Sequence, residues 1–162
     1  MVVPMKAMRY SKLITENHPL ARKYSKVISA LLEKEGMAKN NLFTDETAID
    51  LEACENDRRL SQPQSRMDFA IGLESNNMLL VEAKLNVKNS VNLSDNELKK
   101  KVQYSKSLLN DKYWEIPVAQ EKVFLFHERY IQRAKHEIKQ RLGSNPQIRI
   151  YTVQEFKENI FQ

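Results

Sequence analysis

The sequence predicts one α/β domain, a mixed sheet of four to five strands flanked by helices. Three observations predict it. Residues 67–72 and 78–85 alternate in the manner of two strands around a turn at Ser75-Asn76-Asn77. Residues 20–35, 94–110 and 130–142 carry apolar side chains at helical spacing. Residues 123–126, Val-Phe-Leu-Phe, are apolar throughout, as in a strand covered on both faces.

The chain has 162 residues, so a single domain over 1–162 with a real core is expected. Hydrophobic residues make up 41% and charged residues 29%, the balance of a soluble globular protein. The net charge is +5, and all of that excess falls after residue 85. A polyanionic partner is therefore allowed. The one cysteine, Cys54, excludes an intramolecular disulfide and fits a reducing, cytoplasmic setting. One Cys and three scattered His offer no zinc-ligand spacing. No run approaches the length of a membrane span, and residues 1–12 lack the apolar core of a signal peptide.

In chain order, residues 1–17 are polar and weakly patterned, a loose arm or a short first helix. Leu20, Tyr24, Val27, Ile28, Leu31 and Leu32 make a helical stripe over 20–35, which Gly36 ends. On that helix Glu35 falls within the apolar arc and Glu33 outside it. Ile49, Leu51 and Ala53 alternate with polar neighbours, predicting a first strand over 47–54. Residues 55–64 are polar and read as a loop into the hairpin. Ser94 and Glu97 form a capping-box signature, and Leu98, Val102, Ser105 and Leu109 make the core stripe of the helix that follows. Residues 112–119, with Tyr113 and Trp114, are a loop. A basic amphipathic helix over 130–142 ends at Gly143; a strand over 148–153 and a helix over 154–161 complete the chain. The expected order is an α-β-β-β-α-β core followed by α-β-α.

The hairpin carries the chemistry. Glu82 and Lys84 share one face of an otherwise apolar strand. If Glu74 pairs with Met78, Asp68 stands opposite Lys84 and diagonal to Glu82. Glu-x-Lys alone is uninformative: it recurs at Glu97, Glu137 and Glu155, each in a predicted helix where residues two apart diverge. Only the copy at Glu82 follows a strand that carries an aspartate. A solvent-facing cross-strand ion pair is the bland alternative, and the apolar run around Glu82 weighs against it.

On Asp68 and Glu82-Ala-Lys84, with 13 residues between Asp68 and Glu82, the chain resembles the PD-(D/E)xK nuclease superfamily, of restriction-endonuclease-like fold. The element order matches over residues 20–126. The residue before Asp68 is Met67, where the superfamily pattern has proline. The resemblance implies a Mg²⁺-dependent nuclease hydrolysing DNA phosphodiester bonds, with Mn²⁺ as a substitute. Asp68 and Glu82 would bind the metal with the Ala83 carbonyl, Lys84 would stabilise developing charge, and Glu35 would be a third metal ligand. Gln103 would join the catalytic group, with Lys99 and Lys106 as phosphate contacts. DNA is favoured over RNA, no membrane is involved, and one site per chain against two strands favours a homodimer. Two other readings stand beside it: a nuclease-fold module that binds nucleic acid or protein without catalysis, and a protein–protein adaptor.

Overall fold

The computed structural model describes residues 8–58, 64–86, 94–109 and 116–162. The loop with Tyr113 and Trp114 lies outside them. In chain order the elements are α1 (Lys12–Asn17), α2 (Ala21–Tyr24), β1 (Ser25–Val27), α3 (Ile28–Lys34), β2 (Thr47–Asp50), α4 (Leu51–Asp57), β3 (Phe69–Leu73), β4 (Asn77–Lys84), α5 (Asp95–Leu109), β5 (Val118–Phe126), α6 (Ile131–Leu142), β6 (Ile148–Tyr151) and α7 (Val153–Ile160).

Sheet order follows chain order, β1 to β6. The first four strands run antiparallel to their neighbours, and β4, β5 and β6 are parallel. The parallel pairs need long crossovers, which α5 and α6 supply on the same face. There Leu98, Val102, Ile131 and Ala134 pack on Ala70, Leu80 and Phe124. On the other face α3 and α7 bring Leu31, Leu32 and Phe156 against Ile71, Val81 and Leu125. The molecule is thus a mixed sheet between two helical layers, with six strands among the described residues against the four to five expected. No helix among them is long and apolar enough to cross a membrane.

The extra strand comes from the segment expected as one helix over 20–35. Residues 25–27 leave the helical path because Ser25, Lys26 and Val27 pair with Ile49, Ala48 and Thr47. Sheet pairing of β-branched Val27 overrides the helical spacing. The first strand, expected over 47–54, stops at Asp50, whose carboxylate accepts from the Ala53 N–H at 3.1 Å and starts α4. The expected loop over 55–64 is helical through Asp57.

The hairpin turn is Glu74-Ser75-Asn76, with Asn76 at φ 62°, a left-handed conformation that asparagine adopts at low cost. Leu73 pairs with Asn77 and Phe69 with Val81, a register two residues from the one expected. A two-residue shift preserves which face each side chain takes. The ladder slips by one at Asp68, whose N–H bonds to the Val81 carbonyl although Val81 is the partner of Phe69. That is the geometry of a β-bulge. As a result Met67 joins Ala70 on the α5 face instead of alternating with Phe69 and Ile71 as expected.

The N-terminal segment is a seam. β2 pairs with β3 only at Phe69 and Ala70. Beyond them Tyr10 bridges Leu73, Ser11 N–H bonds to the Gly72 carbonyl, and Gly72 N–H bonds to Thr15 Oγ1. The same segment takes the Ile160 carbonyl through Tyr10 N–H at 2.9 Å.

Candidate active site

Asp68 is held by its backbone on both sides and by its carboxylate in front. Its N–H donates to Val81, its carbonyl accepts from Leu51 N–H at 3.1 Å, and Oδ2 accepts from Ala83 N–H at 2.7 Å. The carboxylate thus supplies the partner β4 loses where β3 begins. Burial, then the charges of Glu82 and Glu35, push the Asp68 carboxyl up to about 7; the Ala83 N–H and Lys101 oppose this.

Glu82 is 4% exposed, so its charge must be met locally. Lys101 Nζ lies 2.7 Å from Oε1 and Lys84 Nζ lies 3.9 Å from Oε2. Oε2 itself accepts no hydrogen bond. Lys101 comes from α5, so Glu82 and Lys84 face that helix. Ser105 ties the helix to the hairpin: its hydroxyl donates to the Lys101 carbonyl at 2.7 Å and accepts from Met67 N–H at 2.8 Å.

Glu35 sits at the C-terminal cap of α3. Its carboxyl is raised by burial, then by the charge of Glu52, with Glu82 adding to it; Lys34 and Arg66 counter. Asp68, Glu82 and Glu35 therefore share one electrostatic neighbourhood. Among the described residues, however, no three His, Cys, Asp or Glu side chains group closely enough to form a metal cage.

A second charged group adjoins this one. The fully buried Asp50 carboxylate is 2.8 Å from Lys26 Nζ and 3.6 Å from Lys34 Nζ. Lys34 also pairs with Glu52 at 2.8 Å, and Arg66 reaches Glu52 at 3.8 Å. Burial raises the Asp50 carboxyl, but the bonds from Lys26 and Ala53 and the Lys34 charge outweigh it and hold it low. Here three cations, Lys26, Lys34 and Arg66, meet two carboxylates; at the hairpin Asp68, Glu82 and Glu35 meet two, Lys84 and Lys101.

Gln103, Lys99 and Lys106 are not in the Glu82 group. They line a groove of about 510 Å³ on another flank of α5, together with Lys122 of β5. Two residues apart on a helix diverge by about 200°, so Gln103 and Lys101 cannot share a flank. Burial, then the Lys106 charge, depresses the Lys122 amine. The residue that sequence reasoning missed is Lys101. Its signal was its spacing: it falls three after Leu98 and four before Ser105, inside the buried stripe.

The oxygens of Asp68 and Glu82 suit a hard divalent cation. An unbonded Glu82 Oε2 and an Asp68 carboxyl that resists ionisation are what such an ion would relieve. Comparisons with protein-family models, with curated proteins and with solved structures each return no match, so the site is interpreted from its own chemistry.

Proposed function

We propose that the chain is a Mg²⁺-dependent deoxyribonuclease of the PD-(D/E)xK type. The observation that carries this reading is the Asp68–Glu82 pair: two carboxylates on neighbouring strands, with one oxygen unbonded and two lysines at hand. The run α3-β2-β3-β4-α5-β5 contains the core order of that superfamily, interrupted by α4. Asp68 and Glu82 would hold the metal, and Mn²⁺ would substitute for Mg²⁺. The Ala83 carbonyl leaves the strand on the same side as the N–H that Asp68 caps. When bound, the ion supplies an acidified water and neutralises phosphate charge.

The chain's own residues do the rest. Lys101 fixes the Glu82 rotamer through its 2.7 Å ion pair. Lys84 has the longer, 3.9 Å contact and is the freer amine to meet charge developing on the phosphate. Lys106 and Lys122 crowd one another along the second groove. A nucleic-acid phosphate would relieve that repulsion.

The test is cleavage of plasmid, linear, single-stranded and branched DNA with and without Mg²⁺ or Mn²⁺. Lys84→Ala and Asp68→Asn should each lower the rate by about 10²-fold or more. Variants that cut every substrate as the wild type does would sink the assignment.

One observation favours a second reading. The direct Lys101–Glu82 pair neutralises Glu82 as a structural network would. On that reading the fold is a binding module without catalysis. It would hold DNA with a steep salt dependence and no metal requirement, and Mn²⁺ would not bind.

A further inference from the structure

A cavity of about 570 Å³ lies at the carboxyl ends of β4, β5 and β6. Openings at that end of parallel strands are where open α/β sheets take ligands, and the volume is that of a small-molecule site. Its wall continues the candidate site along the chain: Gly36 follows Glu35, and Leu85 and Asn86 follow Lys84. On an extended chain, Asn86 is about 7 Å beyond Lys84. Gly36, at φ +108°, is what lets Asn86 lie against the end of α3; a Cβ there would stand 2.1 Å from the Asn86 amide nitrogen.

The lining is that of a site for a flat group with polar edges. Leu85 and Val153 are buried and apolar. Tyr130 and His127 add two rings, 6.1 Å apart between centroids. His127 Nδ1 accepts from Arg129 N–H at 3.0 Å, so the neutral ring carries its hydrogen on Nε2, the other ring nitrogen. Arg129 brings a cation, and Asn86 and Gln154 bring amides able both to donate and to accept.

We infer that this cavity receives one unpaired nucleoside of the strand whose phosphodiester is cut beside Glu82, so that the preferred substrate is single-stranded DNA. This rests on the nuclease reading above for the identity of the strand. A base stacked in a duplex offers neither a free face to Tyr130 nor a free edge to the amides; an unpaired one offers both.

The test is binding, not cleavage. Asp68→Asn protein is titrated with a fluorescent oligothymidylate and with a duplex of equal length. Adding Tyr130→Ala should weaken single-strand binding about tenfold, Tyr130→Phe should restore it, and duplex affinity should not change. Ala38→Leu, which adds bulk from an exposed wall residue, should reproduce the loss with the melting temperature unchanged. Single-strand affinity indifferent to both substitutions, or duplex affinity lost in parallel, overturns the inference. If wild type cuts no DNA with either metal while the Tyr130 dependence holds, the nuclease reading falls and the pocket stands. If it cuts and the Tyr130 dependence is absent, the pocket alone falls.

Discussion

An aspartate that keeps its proton to about pH 7 reports burial first, and the negative charges of Glu82 and Glu35 second. The folded-state value lies above the unfolded one, so the contribution of Asp68 to stability is present below about pH 4 and is lost as pH rises through 7. Two outcomes are expected. Asp68→Asn should melt at a higher temperature than wild type at pH 8 while losing nuclease activity, a trade of function against stability. Mn²⁺ affinity, measured by calorimetry, should rise with pH up to about 7 and then level off, because the proton must leave first. Ser105→Ala leaves the Met67 N–H without its acceptor and should cost about 1–3 kcal/mol in urea unfolding. At this scale the sequence was legible for Glu82 and Lys84, since strand parity alone places them together. Lys101 was not legible because a lysine inside the apolar stripe of α5 has the same local pattern as its exposed neighbours Lys99 and Lys100.

Elements set which of these residues meet. The turn at Asn76 places Asp68 two residues from its expected register, and the bulge at Asp68 then moves Met67 to the other face. Neither was readable locally, because Glu74-Ser75-Asn76 and Ser75-Asn76-Asn77 offer the same turn chemistry. The helix expected over 20–35 failed for a related reason: the strand that captures Val27 lies 20 residues further on. Two predictions belong here. Gly72→Ala would put a Cβ 2.5 Å from the Thr15 backbone nitrogen; it should destabilise by about 1–3 kcal/mol in thermal melts. Lys106→Ala and Lys122→Ala should each lower the slope of log K against log salt for DNA by about 1, with cleavage chemistry intact.

Over the whole molecule the expected α/β mixed sheet stands, with helices on both sides and an added first strand. Residues 1–17 were the least legible. Of the two readings, loose arm or short first helix, α1 bears out the helix, but the pairing of Tyr10 was hidden because it answers to β3 and not to local periodicity. Just beyond α1, His18 is buried, donating through Nε2 to the Leu109 carbonyl at 2.9 Å and accepting Leu20 N–H at Nδ1. Burial lowers its pKa, against the Leu109 bond. Its stabilisation is therefore present above the unfolded value, about 6.5, and lost as pH falls below it, because the unfolded chain takes the proton first. Asp68 runs the opposite way over pH 5–7. On acidification from pH 7 to 5, His18→Asn should gain more melting temperature than wild type, and Asp68→Asn less.

The seam at Tyr10 sets an order of events during synthesis. Ser11 and Thr15 can close the edge of β3 as soon as Gly72 has been made, but the Tyr10 amide finds its acceptor on Ile160, far later in the chain. A chain emerging from the ribosome thus holds this segment half-fastened until Ile160 has been made. During that interval the Leu73 end of β3 is the edge through which two nascent copies would join.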